Sequence, residues 1–146
     1  MKTLKLIVLV VTISLFASCK SDDNGNNDAN QFANIVTDIQ GNWEITLFSE
    51  DDVDQTSNFQ SMEFEFKADG TVVASNDLLS EVGTWSYQET SSNSSDEKLQ
   101  LQFPVGGLFE ELTDDWHITS ASTTSIVLFD ISGNGTTDLL TFASLQ

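Results

Sequence analysis

The strongest constraint on this chain is an alternation of period two that recurs from residue 35 onward. Trp43, Ile45 and Leu47 alternate with Asn42, Glu44 and Thr46, and Met62, Phe64 and Phe66 with Glu63, Glu65 and Lys67. Leu99, Leu101 and Phe103 alternate in the same way with Lys98, Gln100 and Gln102. Successive side chains of a strand point to opposite faces, so each run predicts a strand with one dry and one wet face.

Five further strands complete the pattern. Asp69-Gly70 is a strong hairpin signal and leads into a strand at 71–74. Residues 83–88 carry Trp85 and Tyr87 on one face, and 116–120 carry Trp116 and Ile118. Residues 125–131 and 137–143 form the last two strands, joined across Ser132-Gly133-Asn134-Gly135-Thr136. The connections are short enough to make neighbours antiparallel. Eight short strands in sequence favour an all-β, eight-stranded antiparallel meander closed into a barrel, because closure removes the two exposed edges. A two-sheet sandwich is the competitor, and it needs longer crossings than this chain offers. Residues 51–59 read as an acidic loop and 91–95 as a surface turn. In 104–115, Leu108, Phe109 and Leu112 fall on one helical face, which predicts a short helix or loop over one mouth.

The amino terminus has a different character. Lys2 and Lys5 precede an apolar run from Leu6 to Phe16, then the small residues Ala17 and Ser18. This is the pattern of a secretory signal, residues 1–18, and its apolar run is too short for a comfortable bilayer span. Cys19, the one cysteine of the chain, follows directly. The series Phe16-Ala17-Ser18-Cys19 resembles the bacterial lipoprotein signal, with Phe16 where leucine is commoner. That resemblance implies a lipidated Cys19, and several acyl chains anchor stably because each buried methylene contributes about 0.8 kcal/mol. A soluble secreted protein is the plainer alternative. Residues 19–34 are then an acidic, disordered tether with a reach of roughly 20–25 Å, and 35–146 the barrel domain. Ser21-Asp22-Asp23 resembles the export signal of surface-exposed lipoproteins in the Bacteroidota. It implies an outer-membrane lipoprotein facing outward, with the periplasmic face as the alternative.

Charge bears on partners. Twenty-three acids stand against five lysines and no arginine, for a formal charge of −18. Such a surface excludes a nucleic-acid partner, which requires basic groups. It is also repelled by anionic lipid, so the membrane must be held through the lipid anchor. A monomer is expected.

The barrel region in turn resembles the lipocalin-like lipoproteins of Bacteroidota. The resemblance rests on Gly41-Asn42-Trp43, on Phe64-Glu65-Phe66-Lys67-Ala68-Asp69-Gly70-Thr71-Val72, on Gly83-Thr84-Trp85-Ser86-Tyr87, and on Trp116-His117-Ile118 with Ile126-Val127-Leu128. It covers 35–146 and implies a lipocalin-like barrel that takes a small apolar or amphipathic ligand or a glycan. The alternative is a solid barrel that acts through its outer face on an envelope partner. An eight-stranded barrel is just wide enough for either.

Residues that carry chemistry are few. The sole histidine, His117, falls on the polar side of its strand and is expected to face solvent. Trp43 and Trp85 read as core plugs, and Trp116 as core or ligand contact. Glu63 with Glu65, and Glu110-Glu111 with Asp114-Asp115, are chance pairs in so acidic a chain, and no catalytic residue, cofactor or metal is expected. Asp130, Ser132, Asn134, Gly135 and Asp138 match positions of a calcium loop, but Thr141 replaces its bidentate glutamate and strands flank it. The 51–54 loop is a second weak calcium candidate.

Overall fold

A computed structural model describes residues 34–89 and 97–145. The nine strands are β1 (Gly41–Glu50), β2 (Val53–Asp54), β3 (Glu63–Phe66), β4 (Thr71–Ser75), β5 (Ser80–Gln88), β6 (Lys98–Gln102), β7 (Asp114–Ala121), β8 (Ser125–Ile131) and β9 (Thr137–Ser144). Leaving aside the two-residue β2, neighbours in sequence pair in the order β1-β3-β4-β5-β6-β7-β8-β9, all antiparallel, and β9 returns to β1. The sheet is therefore the closed eight-stranded meander that the alternation predicts. The signal, Cys19, the tether up to residue 33 and the turn at 91–95 lie outside the described residues.

The dry faces meet along the axis. Phe64 and Phe66, Val72 and Ala74, Leu99 and Leu101, Ile126 and Leu128, and Leu140 and Phe142 are all buried, two from each of five strands. Trp43, Trp85 and Trp116 add the largest rings. In β1 the alternation changes phase. A register shift between Ile45 and Leu47 puts Phe48 in the core, while Leu47 is only half-buried. The extra residue of a bulge turns each later side chain to the opposite face, so the inward place expected for Leu47 belongs to Phe48.

The barrel has two unlike ends. β1 starts at one, beside a short helix over residues 34–39. This helix end also holds the β3–β4 hairpin, since Gly41 pairs with Phe66, and the start of β6 at Lys98. β1 finishes at the other end, with β2, a 3-10 turn at Thr56–Phe59, the β4–β5 turn, the 103–113 connection and the β8–β9 turn. The helix is an addition to the expected architecture. Ile35 and Ile39, four residues apart and so on one helical face, are both buried. The described residues of the helix are rich in β-branched side chains, which lowers their helix propensity. Packing onto the barrel holds it.

Candidate functional site

Any site for an axial ligand must be entered through a mouth, and both mouths are filled by side chains of this chain. At the helix end, Ile35 and Ile39 sit over the core, and the Trp43 indole N–H donates to the Ile39 carbonyl at 2.8 Å. Gly41, with φ +134°, makes the bend between helix and strand. At the loop end the stopper is aromatic. Phe59, from the first 3-10 turn, lies 5.2 Å from Phe48 edge-on and 6.3 Å from Phe109. Phe109 in turn meets Phe64 at 5.8 Å and Phe103 at 5.6 Å. Leu112, from a second 3-10 turn at Glu110–Leu112, is fully buried, and its carbonyl accepts the Trp116 indole N–H at 3.0 Å.

The three tryptophans thus perform one task. Each buries its ring and gives its single N–H to a backbone carbonyl: Trp43 and Trp116 tie a covering segment to the wall, and Trp85 ties the β3–β4 hairpin through the Lys67 carbonyl at 2.9 Å. Trp43 and Trp85 are core plugs as expected, and Trp116 joins them. The connection over the loop end is shorter in helix than expected, a single 3-10 turn. Of the three side chains placed on one face, Phe109 and Leu112 point inward but Leu108 is exposed, because the turn that delivers Phe109 faces Leu108 outward.

That connection is held by Glu81. Its Oε2 accepts the Leu108 backbone N–H at 2.8 Å, and Gly107 lies so close to Oε1 that a side chain there would collide with it. Glu110 accepts the Gly106 N–H at 2.7 Å, and Thr113 Oγ1 accepts that of Phe103 at 2.9 Å.

The remaining candidate residues are dispersed. His117 departs from its expected solvent-facing position. It is half-buried on the outer wall, with its ring stacked on Phe129 at 5.0 Å, because the register sets these two opposite each other on the wet face. Glu65 pairs with Lys67 at 3.2 Å, and Asp115 with Lys98 at 2.6 Å. Burial, with Asp130 nearby, pushes the Asp114 carboxyl up, and burial with Glu50 nearby raises Glu111. The Lys98 hydrogen bond holds Asp115 low. Burial, then Glu97 and Glu89, pushes the Tyr87 phenol up to about 12.

The calcium-like loop is occupied with its own chain. Asp138, the one buried charged side chain among the described residues, accepts the Asp51 N–H at 2.9 Å and the Ser132 hydroxyl. Asn134 and Thr136 donate to Asp51 Oδ1 at 2.6 and 2.9 Å, which holds the Asp51 carboxyl low. Asp51 and Asp52 both have positive φ, as a two-residue hairpin turn between β1 and β2 requires. The acids of these two loops therefore latch one turn to the other. Among the described residues no group of three or more His, Cys, Asp or Glu is placed to hold a metal.

Two hollows on the outside are lined by described residues. One, of about 390 Å³, lies between the helix and β7, beside Asp38, Glu97 and Thr119. The larger, of about 640 Å³, lies at the loop end and is lined by Ser61, Glu63, Ser75, Asn76, Asp77 and Leu78. Leu78, beside this hollow, and Glu81, bonded to the connection, are not marked by any motif in the sequence. For Leu78 a signal was present, since an aliphatic residue set inside a turn has nothing local to pack against. Comparison with family models, with curated proteins and with solved structures finds no match to this chain.

Proposed function

We propose that this chain is a lipid-anchored envelope lipoprotein of the lipocalin-like kind, non-enzymatic, whose barrel is a filled scaffold acting through its outer surface on an envelope partner. The observation that carries this reading is the filling of the axis. Side chains from all eight strands meet there, a helix closes one mouth and an aromatic cluster closes the other. Interiors packed in this way leave few voids larger than a water molecule. The Phe16-Ala17-Ser18-Cys19 series supports the anchor, and Ser21-Asp22-Asp23 supports the outward face over the periplasmic one.

The barrel fold is equally that of a carrier for a small apolar or amphipathic ligand or a glycan. An axial ligand would have to displace Phe59 and Phe109 or the 34–39 helix. Because Trp43, Trp85 and Trp116 all lie in the interior, tryptophan fluorescence reports directly on such entry. Titration with a long-chain fatty acid and with a short oligosaccharide should leave the emission unchanged. Saturable quenching or a spectral shift would restore the carrier. For the anchor, cells expressing the chain and fed labelled palmitate should label the protein, and Cys19→Ala should abolish the label. An unlabelled wild-type protein would remove the anchor from the proposal.

A further inference from the structure

Large exposed apolar side chains are concentrated at one end of this barrel. Among the described residues eight large ones are exposed, and all but Leu145 belong to the loop end. Four of them lie in or beside the β4–β5 turn and the 103–113 connection. Leu78, in the β4–β5 turn, and Val105, in the 103–113 connection, are each 92 % exposed, and Val82 and Leu108 are more than half exposed. The Glu81–Leu108 hydrogen bond lays that connection across the start of β5, which brings the two pairs to one side of the rim. Isolated exposed aliphatics are ordinary, but several converging on one rim mark a contact surface.

The charge around this patch selects its occupant. The 640 Å³ hollow begins at Leu78 and has Glu63 and Asp77 in its wall. Around the same end stand Glu50, Asp52, Asp54, Glu110, Glu111 and Asp114, whereas Lys67 and Lys98 both lie toward the helix end and are engaged there with Glu65 and Asp115. The described chain begins at residue 34, at the helix end, so the loop end is the end remote from residue 34.

We infer that the loop-end rim is a docking surface for a cationic amphipathic segment of a partner protein. Its aliphatic side packs on Leu78, Val82, Val105 and Leu108, and a lysine or arginine enters the hollow between Glu63 and Asp77. This rests on the reading of the barrel as an interaction module and names its surface and partner class. Long-range attraction from the acidic end steers encounter, and the aliphatic contacts supply the specificity that charge alone lacks.

The test uses the full chain in detergent and a fluorescent amphipathic peptide with lysines on one side and leucines on the other. Anisotropy should show saturable binding that weakens with added salt. Leu78→Ser with Val105→Ser should weaken it roughly tenfold or more, as loss of central apolar contacts does. Glu63→Gln with Asp77→Asn should weaken it and flatten its salt dependence. Leu145→Ser, exposed at the opposite end, should leave it unchanged. No binding, or equal binding by wild type and the Leu78/Val105 variant, would overturn the inference and leave only the attraction of an acidic protein for any cation. Neither result touches the fatty-acid titration. A shut interior with no peptide binding removes this surface alone, and a fatty-acid signal removes the filled-scaffold reading first.

Discussion

The two ends of the barrel are closed by different means, and the contrast shows how much of a fold is local. The helix end is closed by the segment that immediately precedes β1, and the tie from Trp43 to Ile39 spans only four residues. The loop end is closed by Phe59 and by Phe109 with Leu112, residues far apart in the chain that meet only once the sheet has closed. Its latch is longer still in sequence, from Asp51 to Asp138. A local closure can form early and cheaply, whereas a non-local one must overcome the entropy of closing long loops. The loop end also exposes aliphatics, whose burial the fold forgoes, and carries carboxylates raised by desolvation and by acidic neighbours.

The largest expected effect comes from opening each stopper. Phe109→Ala, which removes contacts to Phe59, Phe64 and Phe103, should cost about 3–5 kcal/mol, against about 2–4 kcal/mol for Ile39→Ala. Urea unfolding measures both, and an Ile39→Ala cost clearly above that of Phe109→Ala would reverse the ranking of the two ends. Phe109→Ala should also make Trp116 fluorescence more accessible to a soluble quencher, while Ile39→Ala should leave Trp116 as shielded as before.

The tryptophan ties should come next, and here the ends should agree. Trp43→Phe and Trp116→Phe each leave one buried carbonyl without its donor, at a cost of about 1–3 kcal/mol. Melting temperatures should fall by similar amounts. A large inequality would show that one indole is held by its ring contacts and not by its hydrogen bond.

Next in size is the latch. Asp138→Ala strands the Asp51 N–H and the Ser132 hydroxyl, and should cost about 1–2 kcal/mol in the same denaturation assay. Added calcium should not raise the melting temperature of the wild type by any saturable step, and such a step would return the latch residues to the status of a metal site.

The smallest effect is with pH, and its sign differs between neighbours. Asp114 and Glu111 have raised pKa values in the folded chain, so the folded state binds their protons more tightly than the unfolded state. Their contribution falls as pH rises from the ordinary carboxylate value through the raised one. Asp51 and Asp115 are lowered, so the stability they give is present above the ordinary value and is lost as pH falls through the lowered one. Stability should therefore pass through a maximum in the mildly acidic range. Asp114→Asn should remove part of the fall on the neutral side, and Asp51→Asn part of the fall on the acid side. A wild type with no such maximum would mean that these shifts contribute little beside the general charge of the chain.

The number of strands, their faces and their antiparallel order could be read from the residues, because a period of two is written directly into sequences such as that of β3 and β6. The Asp69-Gly70 turn could be read as well: Gly70 has φ +83°, and Asp69 accepts the Thr71 N–H at 2.9 Å. The helix over residues 34–39 was not legible, since Ile35, Val36 and Ile39 are β-branched and look like strand until Ile35 and Ile39 find the open mouth. Phe48 in place of Leu47 depended on a bulge, which is set by how β9 pairs with β1 and not by β1 alone. The stacking of His117 on Phe129 depended likewise on the β7–β8 register.

By itself, then, the order of residues determined which segments of the barrel would be strand and which turn, which faces would be wet or dry, and that the chain would be strongly acidic. Local preferences act over a few residues, and these were enough for that. Only the tertiary structure decided that buried side chains from all eight strands meet in the interior, that Phe59, Phe109 and Leu112 converge over one mouth, and that Leu78 borders a hollow with Glu63 and Asp77. Those outcomes depend on closure, which brings distant residues together and settles volume and proximity at once.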